Sequence, residues 1–173
     1  VEAGGQVSDT GHIVSHDGKT KAVVEDMALW GSFPRLHRIR VVAGTLSQGD
    51  VVSAVVDAPR RRAIQRNHTA THLLHAALRQ VLGHHVTQAG SLVSPERLRF
   101  DFTHPTPVSQ SDVEEIERLV NEQVLTSIPV DTVEQPTDEA ISNGAIALFG
   151  EKYGDRVRVV SISDFSKELC GGT

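Results

Sequence analysis

The pattern of the chain changes at Asp57-Ala-Pro59, and that boundary limits the fold more than any other feature. Before it, short β-branched runs alternate with turn signals. After it, apolar residues recur at helical spacing. Asp57 suits a helix N-cap and Pro59 a first helical turn. The spacing predicts a helix from about Arg60 to Leu82, with Ile64, Leu74, Ala77, Leu78 and Val81 along one side and Gly83 ending it. Thr10-Gly-His-Ile-Val14, Lys21-Ala-Val-Val-Glu25, His37-Arg-Ile-Arg-Val-Val42 and Asp50-Val-Val-Ser-Ala-Val-Val56 read as strands. Asp9-Thr-Gly11, Asp17-Gly18 and Gln48-Gly-Asp50 supply the turns between them. Five or six such strands within residues 1–57 predict a small β-barrel.

Residues 58–173 read differently. Strands are predicted at Val86–Val93 and Leu98–Thr103, joined by a turn at Ser94-Pro95-Glu96. Ser111-Asp-Val-Glu114 has the form of a capping box, and Val113, Ile116, Val120 and Val124 continue it as a helix. Ile128–Glu134 reads as a strand and Thr137–Asn143 as a short helix stopped by Gly144. Ala145–Phe149 and Arg156–Ile162 are the last predicted strands. The expectation is an α+β chain, in which the small barrel is followed by a two-layer domain with a mainly antiparallel sheet.

Composition matters here for compartment and charge. Cys170 is the single cysteine of the 173 residues, which excludes an intrachain disulfide and points to a reducing compartment, the cytoplasm. No apolar run approaches the length of a membrane span. The net charge of −5 argues against a protein that coats nucleic acid indiscriminately. Yet Ala58–Pro95 contains no acidic residue while holding Arg60, Arg61, Arg62, Arg66 and Arg79. A basic stripe on an acidic body can grip a phosphate backbone locally, and a solvated arginine-rich face accounts for it equally well. The chain opens on Val1 and stops at Cys170-Gly-Gly-Thr173, and both ends are expected to be cuts in a longer protein.

Within the first helix lies His68-Thr-Ala-Thr-His72. Residues four apart share a helix face one turn apart, so both imidazoles can reach one ion. With nine histidines in the chain such a pair also arises by chance, as two partly buried polar side chains. Cys170 shifts the balance, because two imidazoles and a thiolate form a usual tetrahedral zinc set. The zincin arrangement is excluded, since Thr69 stands where that class has its glutamate base. His75, His84 and His85 read as ordinary surface or helix-end residues.

Asn67-His-Thr-Ala-Thr-His-Leu-Leu-His-Ala-Ala-Leu-Arg-Gln-Val-Leu-Gly83 resembles the opening helix of the alanyl-tRNA synthetase editing domain. The resemblance continues through Gln88-Ala-Gly-Ser-Leu-Val93, Leu98-Arg-Phe-Asp-Phe102, Gly144–Gly154 and Phe165-Ser-Lys-Glu-Leu-Cys-Gly-Gly-Thr173. Glu2-Ala-Gly-Gly-Gln-Val7 is similar to the glycine-rich entry of the barrel that precedes that domain. The resemblance implies hydrolysis of the aminoacyl ester of seryl- and glycyl-tRNA(Ala), within a larger synthetase. It also implies a zinc ion held by His68, His72, Cys170 and a histidine directly after Thr173, the last outside this chain. Without that fourth ligand, zinc is expected to bind more weakly or to keep a water. Charging activity is not expected, because nothing resembles an ATP-binding core.

Site roles follow on that basis. Gln88 matches a position the family uses in editing, and the reading gives it a hydrogen bond to the ester or the attacking water; a polar residue on a strand face is the alternative. Period-two alternation puts Arg99, Asp101 and Thr103 on one face. Asp101 is therefore a candidate to orient a ligating histidine, or else a partner of Arg99. Thr71 either lines the pocket or caps a carbonyl one turn back. The Arg60, Arg61, Arg62 and Arg66 run leads into the metal helix, so a phosphate bound there brings the tRNA(Ala) acceptor end near His68 and His72. Gly4, Gly5 and Gln6 either let the backbone approach that strand or form a tight turn. Two other readings remain: a free-standing deacylase acting in trans, and a non-catalytic zinc-stabilised module that docks tRNA. The related threonyl-tRNA synthetase editing domain shares the metal pattern, but Gly144–Gly154 and the Cys170-Gly-Gly-Thr173 end look alanyl.

Overall fold

The structure, a computed structural model, describes residues 5–28, 36–147 and 153–173. Four antiparallel strands come first: β1 (Gly11–Ser15), β2 (Lys21–Ala28), β3 (Leu36–Ala43) and β4 (Val52–Val56). They pair in the order β3-β2-β1-β4. Among the described residues this ladder has β3 and β4 at its two edges, with no pairing between them. Ala22 and Val24 of β2 are its buried apolar residues, whereas Val41, Val52, Val55 and Val56 stay exposed. Gly11 sits where β1 presses hardest on β4: a Cβ there would lie 2.2 Å from the Val55 carbonyl oxygen.

Helix α1 spans Ala58–Leu82, with the Asp57 carboxylate accepting the Arg60 amide at 3.1 Å and Gly83 closing the helix. Its buried positions Ile64, His68, Thr71, His72, His75 and Leu78 follow the helical period, so the histidines lie on the inward face. Strands β5 (Gln88–Val93) and β6 (Leu98–Phe102) form a hairpin closed by the Ser94 amide on the Arg97 carbonyl. The expected alternation in β6 turns Phe100 and Phe102 onto a core of Ala77, Leu78, Val86, Ile116 and Leu119.

Helix α2 covers Gln110–Leu125 and is capped by Ser109, whose Oγ accepts the Asp112 amide at 3.1 Å. The cap is thus two residues earlier than the box read at Ser111. Ser109-Gln-Ser-Asp112 supplies the same hydroxyl-to-third-amide spacing, and Ser109 already has the extended backbone a cap requires. The rest is a three-stranded antiparallel ladder, β7 (Val130–Pro136), β8 (Arg156–Ile162) and β9 (Ser166–Leu169), with α3 (Thr137–Ser142) after β7. Strand β9 was not anticipated. Of the strand expected at Ala145–Phe149, the described residues form one parallel bridge, from Ile146 to Glu168, and Leu148 and Phe149 lie outside the described residues. The architecture is α+β, and among the described residues the ladders are antiparallel and the parallel pairings are two isolated bridges.

Two segments far apart in sequence tie the halves together. Asp57 N bonds Thr10 O, and Arg61 pairs with Asp9 through Nε at 2.7 Å and through Nη2. Gly5 and Val7 run beside Val93, with Val93 N on Gly5 O at 2.7 Å and Val7 N on Val93 O at 3.0 Å. Gly5 is left-handed at φ 81°, and a Cβ would fall 2.1 Å from Ser91 Oγ, so glycine is required at this contact.

The cap position is directly testable. Ser109→Ala is expected to lower stability by about 1 kcal/mol in urea unfolding. Ser111→Ala should change it by less than about 0.5 kcal/mol. The reverse order would return the cap to Ser111.

Candidate metal centre

Helix α1 and the segment leaving β9 converge on one point. His68 Nε2 lies 3.1 Å from Cys170 Sγ. One ligand atom each from His68, His72 and Cys170 lies within 4.8 Å of the others. A tetrahedral zinc with its usual bond lengths sets nitrogen and sulfur ligands about 3.3–3.6 Å apart. The His68–Cys170 pair is already slightly closer than that, and the widest separation, 4.8 Å, has to close by about 1 Å for one ion to reach all three.

Each imidazole is also held from behind. His68 Nδ1 bonds the Thr173 carbonyl at 2.7 Å, and His72 Nδ1 bonds Glu168 Oε2 at 2.8 Å. A carbonyl or carboxylate on Nδ1 fixes the tautomer that leaves Nε2 as a lone pair. His72 Nε2 is buried with no hydrogen-bond partner among the described residues. A buried polar atom left this way is costly, and a cation supplies what it lacks. The cysteine loop is fitted just as closely. A Cβ on Gly172 would sit 2.3 Å from His68 Cε1, and Arg158 Nη1 grips the carbonyls of Cys170 and Gly172 at 3.0 and 2.7 Å. The residues present fit a zinc ion, with a thiolate and two neutral imidazoles as donors.

The electrostatics agree. Burial pushes the Cys170 thiol up, but the imidazoles of His68 and His72 outweigh it and bring it down to about 6. Burial likewise opposes charge on His72, yet Cys170 and Glu168 hold its pKa at about 10. Glu168 is only 3% exposed, and against that burial the bonds from His72 and His75 keep its pKa at about 2. Two anions thus share a small buried space, and a divalent cation balances their charge.

The structure brings together the three expected ligands. Thr71 is buried with its hydroxyl donated to the Asn67 carbonyl at 2.8 Å, the one-turn-back contact. Gln88 is half-buried and donates to Ser91 Oγ at 3.2 Å. Asp101 accepts from Arg99 Nε at 3.0 Å, and the carboxylate that orients His72 is Glu168. Gln6 reaches the far side of the site, where its Oε1 accepts both the amide and the hydroxyl of Thr173 at 3.0 Å. Gly5 makes its close approach to β5, and Gly4 lies outside the described residues. Arg60 donates to Ser8 O and Arg61 pairs with Asp9, so both guanidinium groups serve the protein itself. Arg62 and Arg66 are exposed and form no salt bridge among the described residues.

Three residues were not singled out beforehand. Glu168 precedes Cys170 by two, which in an extended chain places both on one face, and that spacing was readable. His75 follows His68 by seven, which continues the same helix face. It is buried, with Nδ1 on Glu168 Oε1 at 2.9 Å, and not the surface residue expected. Arg158 carried no sequence signal, because its carbonyl partners come from a loop that β8 meets only in three dimensions.

No protein-family model matches the chain. Among curated proteins it is 56% identical to the alanine–tRNA ligase of Thermotoga petrophila over 172 residues, or 99% of this chain and 20% of that protein. It is 54% identical to the alanine–tRNA ligase of Geobacillus kaustophilus over 171 residues, 99% of this chain and 19% of the relative. The alanine–tRNA ligase of Solibacter usitatus is 52% identical over 99% of this chain. The chain spans about one fifth of the length of the curated relatives it matches. With more than half of its residues shared across 99% of its length, the chain belongs, as a segment, to the alanine–tRNA ligase family.

Proposed function

We propose that this chain is the hydrolytic editing unit of an alanine–tRNA ligase, cleaving the aminoacyl ester of seryl- and glycyl-tRNA(Ala). The observation that carries the reading is the convergence of His68, His72 and Cys170, with the Nδ1 of each imidazole held from behind. A ligase pocket sized for alanine admits the smaller glycine and rejects serine poorly, because one hydroxyl is worth little discrimination in such a pocket. A second, hydrolytic site removes the resulting errors and returns free amino acid and intact tRNA.

His68, His72 and Cys170 would hold a zinc ion. Once bound, that ion supplies either Lewis-acid activation of water or a fixed point that orients the amino acid. The chain's own residues do the rest. Gln6 and Arg158 keep the Cys170–Thr173 loop against His68, so the site stays assembled. Gln88 and the Thr71 hydroxyl oxygen are the polar groups assigned to the ester and the attacking water. Arg62 and Arg66, exposed on α1 ahead of the histidines, are assigned to phosphates of the acceptor strand. Asp101 remains with Arg99 and has no role in the reading. The unit acts within a cytoplasmic ligase that supplies the remaining tRNA contacts. No helix among the described residues is long and apolar enough to cross a membrane.

Seryl-tRNA(Ala) should be deacylated by this chain with zinc present, while alanyl-tRNA(Ala) is spared. A chelator should suppress the reaction and added zinc restore it. Binding without turnover at any zinc level would instead identify a docking module.

His72→Ala should lower the deacylation rate about 100-fold through loss of the metal. A rate within a factor of two of the parent would remove the metal from the chemistry.

The Arg62→Ala, Arg66→Ala pair should weaken tRNA binding without altering seryl-over-alanyl selectivity. The slope of log affinity against log salt should fall by about 1 per arginine. An unchanged slope would move the phosphate contacts elsewhere.

A further inference from the structure

Among the polar atoms buried without a partner is a second imidazole nitrogen on α1, Nε2 of His75. The metal site accounts for the bare Nε2 of His72 but not for this one. His75 is 2% exposed and lies outside the cluster of candidate ligands. The proposed reaction gives it nothing to do. An apolar side chain would fill the same space against Phe100 without stranding a polar atom. What histidine adds is one hydrogen bond, Nδ1 to Glu168 Oε1 at 2.9 Å.

That bond acts on the metal site through a single carboxylate. Ionised Glu168 accepts only, so both imidazoles facing it must donate Nδ1–H. Its Oε2 accepts the Nδ1–H of His72 and its Oε1 accepts the Nδ1–H of His75. With both oxygens engaged, the plane of the carboxylate is set. Releasing Oε1 would leave it a weaker contact, the Ser166 hydroxyl at 3.5 Å, and free the group to turn about its own axis. The outer partner of a ligating histidine governs how well that histidine is aimed.

We propose that His75 is a positioning residue for the metal centre. By donating Nδ1–H to Oε1 of Glu168, it holds Oε2 on His72 and keeps the His72 Nε2 lone pair turned toward the cation. The inference rests on reading His68, His72 and Cys170 as a metal site, and is independent of which ester is cleaved.

Cobalt(II) provides the test, titrated into the 173-residue chain and displaced by zinc, with thiolate-to-cobalt absorption as the readout. His75→Leu, which removes the donor, should lower metal affinity about 10–100-fold while the thiolate band persists. His75→Asn places an amide N–H near the Nδ1 position and should recover most of that loss. Unchanged affinity in folded His75→Leu, or a loss that His75→Asn fails to recover, would overturn the proposal. Long-range proton–nitrogen NMR of the zinc-loaded parent supplies a second measure that does not depend on the folding of the leucine variant. Both His72 and His75 should carry their proton on Nδ1 with Nε2 unprotonated. A proton on His75 Nε2 in place of Nδ1 would refute the arrangement. A parent that takes up no cobalt would defeat the proposal together with the metal reading. Metal binding with the expected variant effects, but intact seryl-tRNA(Ala), would defeat the editing reading alone and support the role of His75.

Discussion

A buried carboxylate holds this structure to its site. Glu168 reaches from β9 into the face of α1 and accepts a hydrogen bond from each of two histidines one turn apart. A charge this deep is stable only when fully partnered, so the strand and the helix cannot slide past one another without stranding it. Cys170 follows two residues later, and its position relative to His68 and His72 is inherited from that contact. The grouping of the three candidate ligands is therefore a consequence of how β9 docks on α1, and the hydrophobic core beneath the helix supplies the rigid platform.

The N-terminal ladder contributes to the same point from the other side. Asp9 and Arg61 form a clamp at the base of α1, and the Gly5–Val7 segment runs along Val93 at the edge of β5. These contacts deliver Gln6 to the amide and hydroxyl of Thr173. Residues near the two ends of the chain thus meet at the loop that follows the cysteine. Arg60 and Arg61 show how the same geometry redirects charge. In sequence they belong to one basic run with Arg62 and Arg66, yet they bond to the N-terminal segment and are partly buried, whereas the latter two are exposed.

Local signals were legible where a single element sufficed to express them. The Asp57 cap, the length of α1 and the alternation of β6 depend on hydrogen bonds and periodicities within a few residues. The shift of the α2 cap from Ser111 to Ser109 shows the limit of such signals. Two serines two apart offer the same hydroxyl, and only the backbone conformation ahead of the helix chooses between them. Strand β9 escaped because its four residues include Lys167 and Glu168, a poor strand composition. Its stability comes from pairing with β8 and from the partners Glu168 finds on α1.

The sequence by itself determined the α+β class, the long first helix with its paired histidines, and the three candidate ligands. Each rests on spacing along the chain or on the chemistry of a residue type. Only the tertiary structure decided that Glu168, rather than Asp101, backs His72, and that His75 is buried. It also settled which arginines stay exposed. The physical reason is the same in every case. A polar side chain takes the partner that burial places within reach, and burial is set by contacts between segments that lie far apart in sequence.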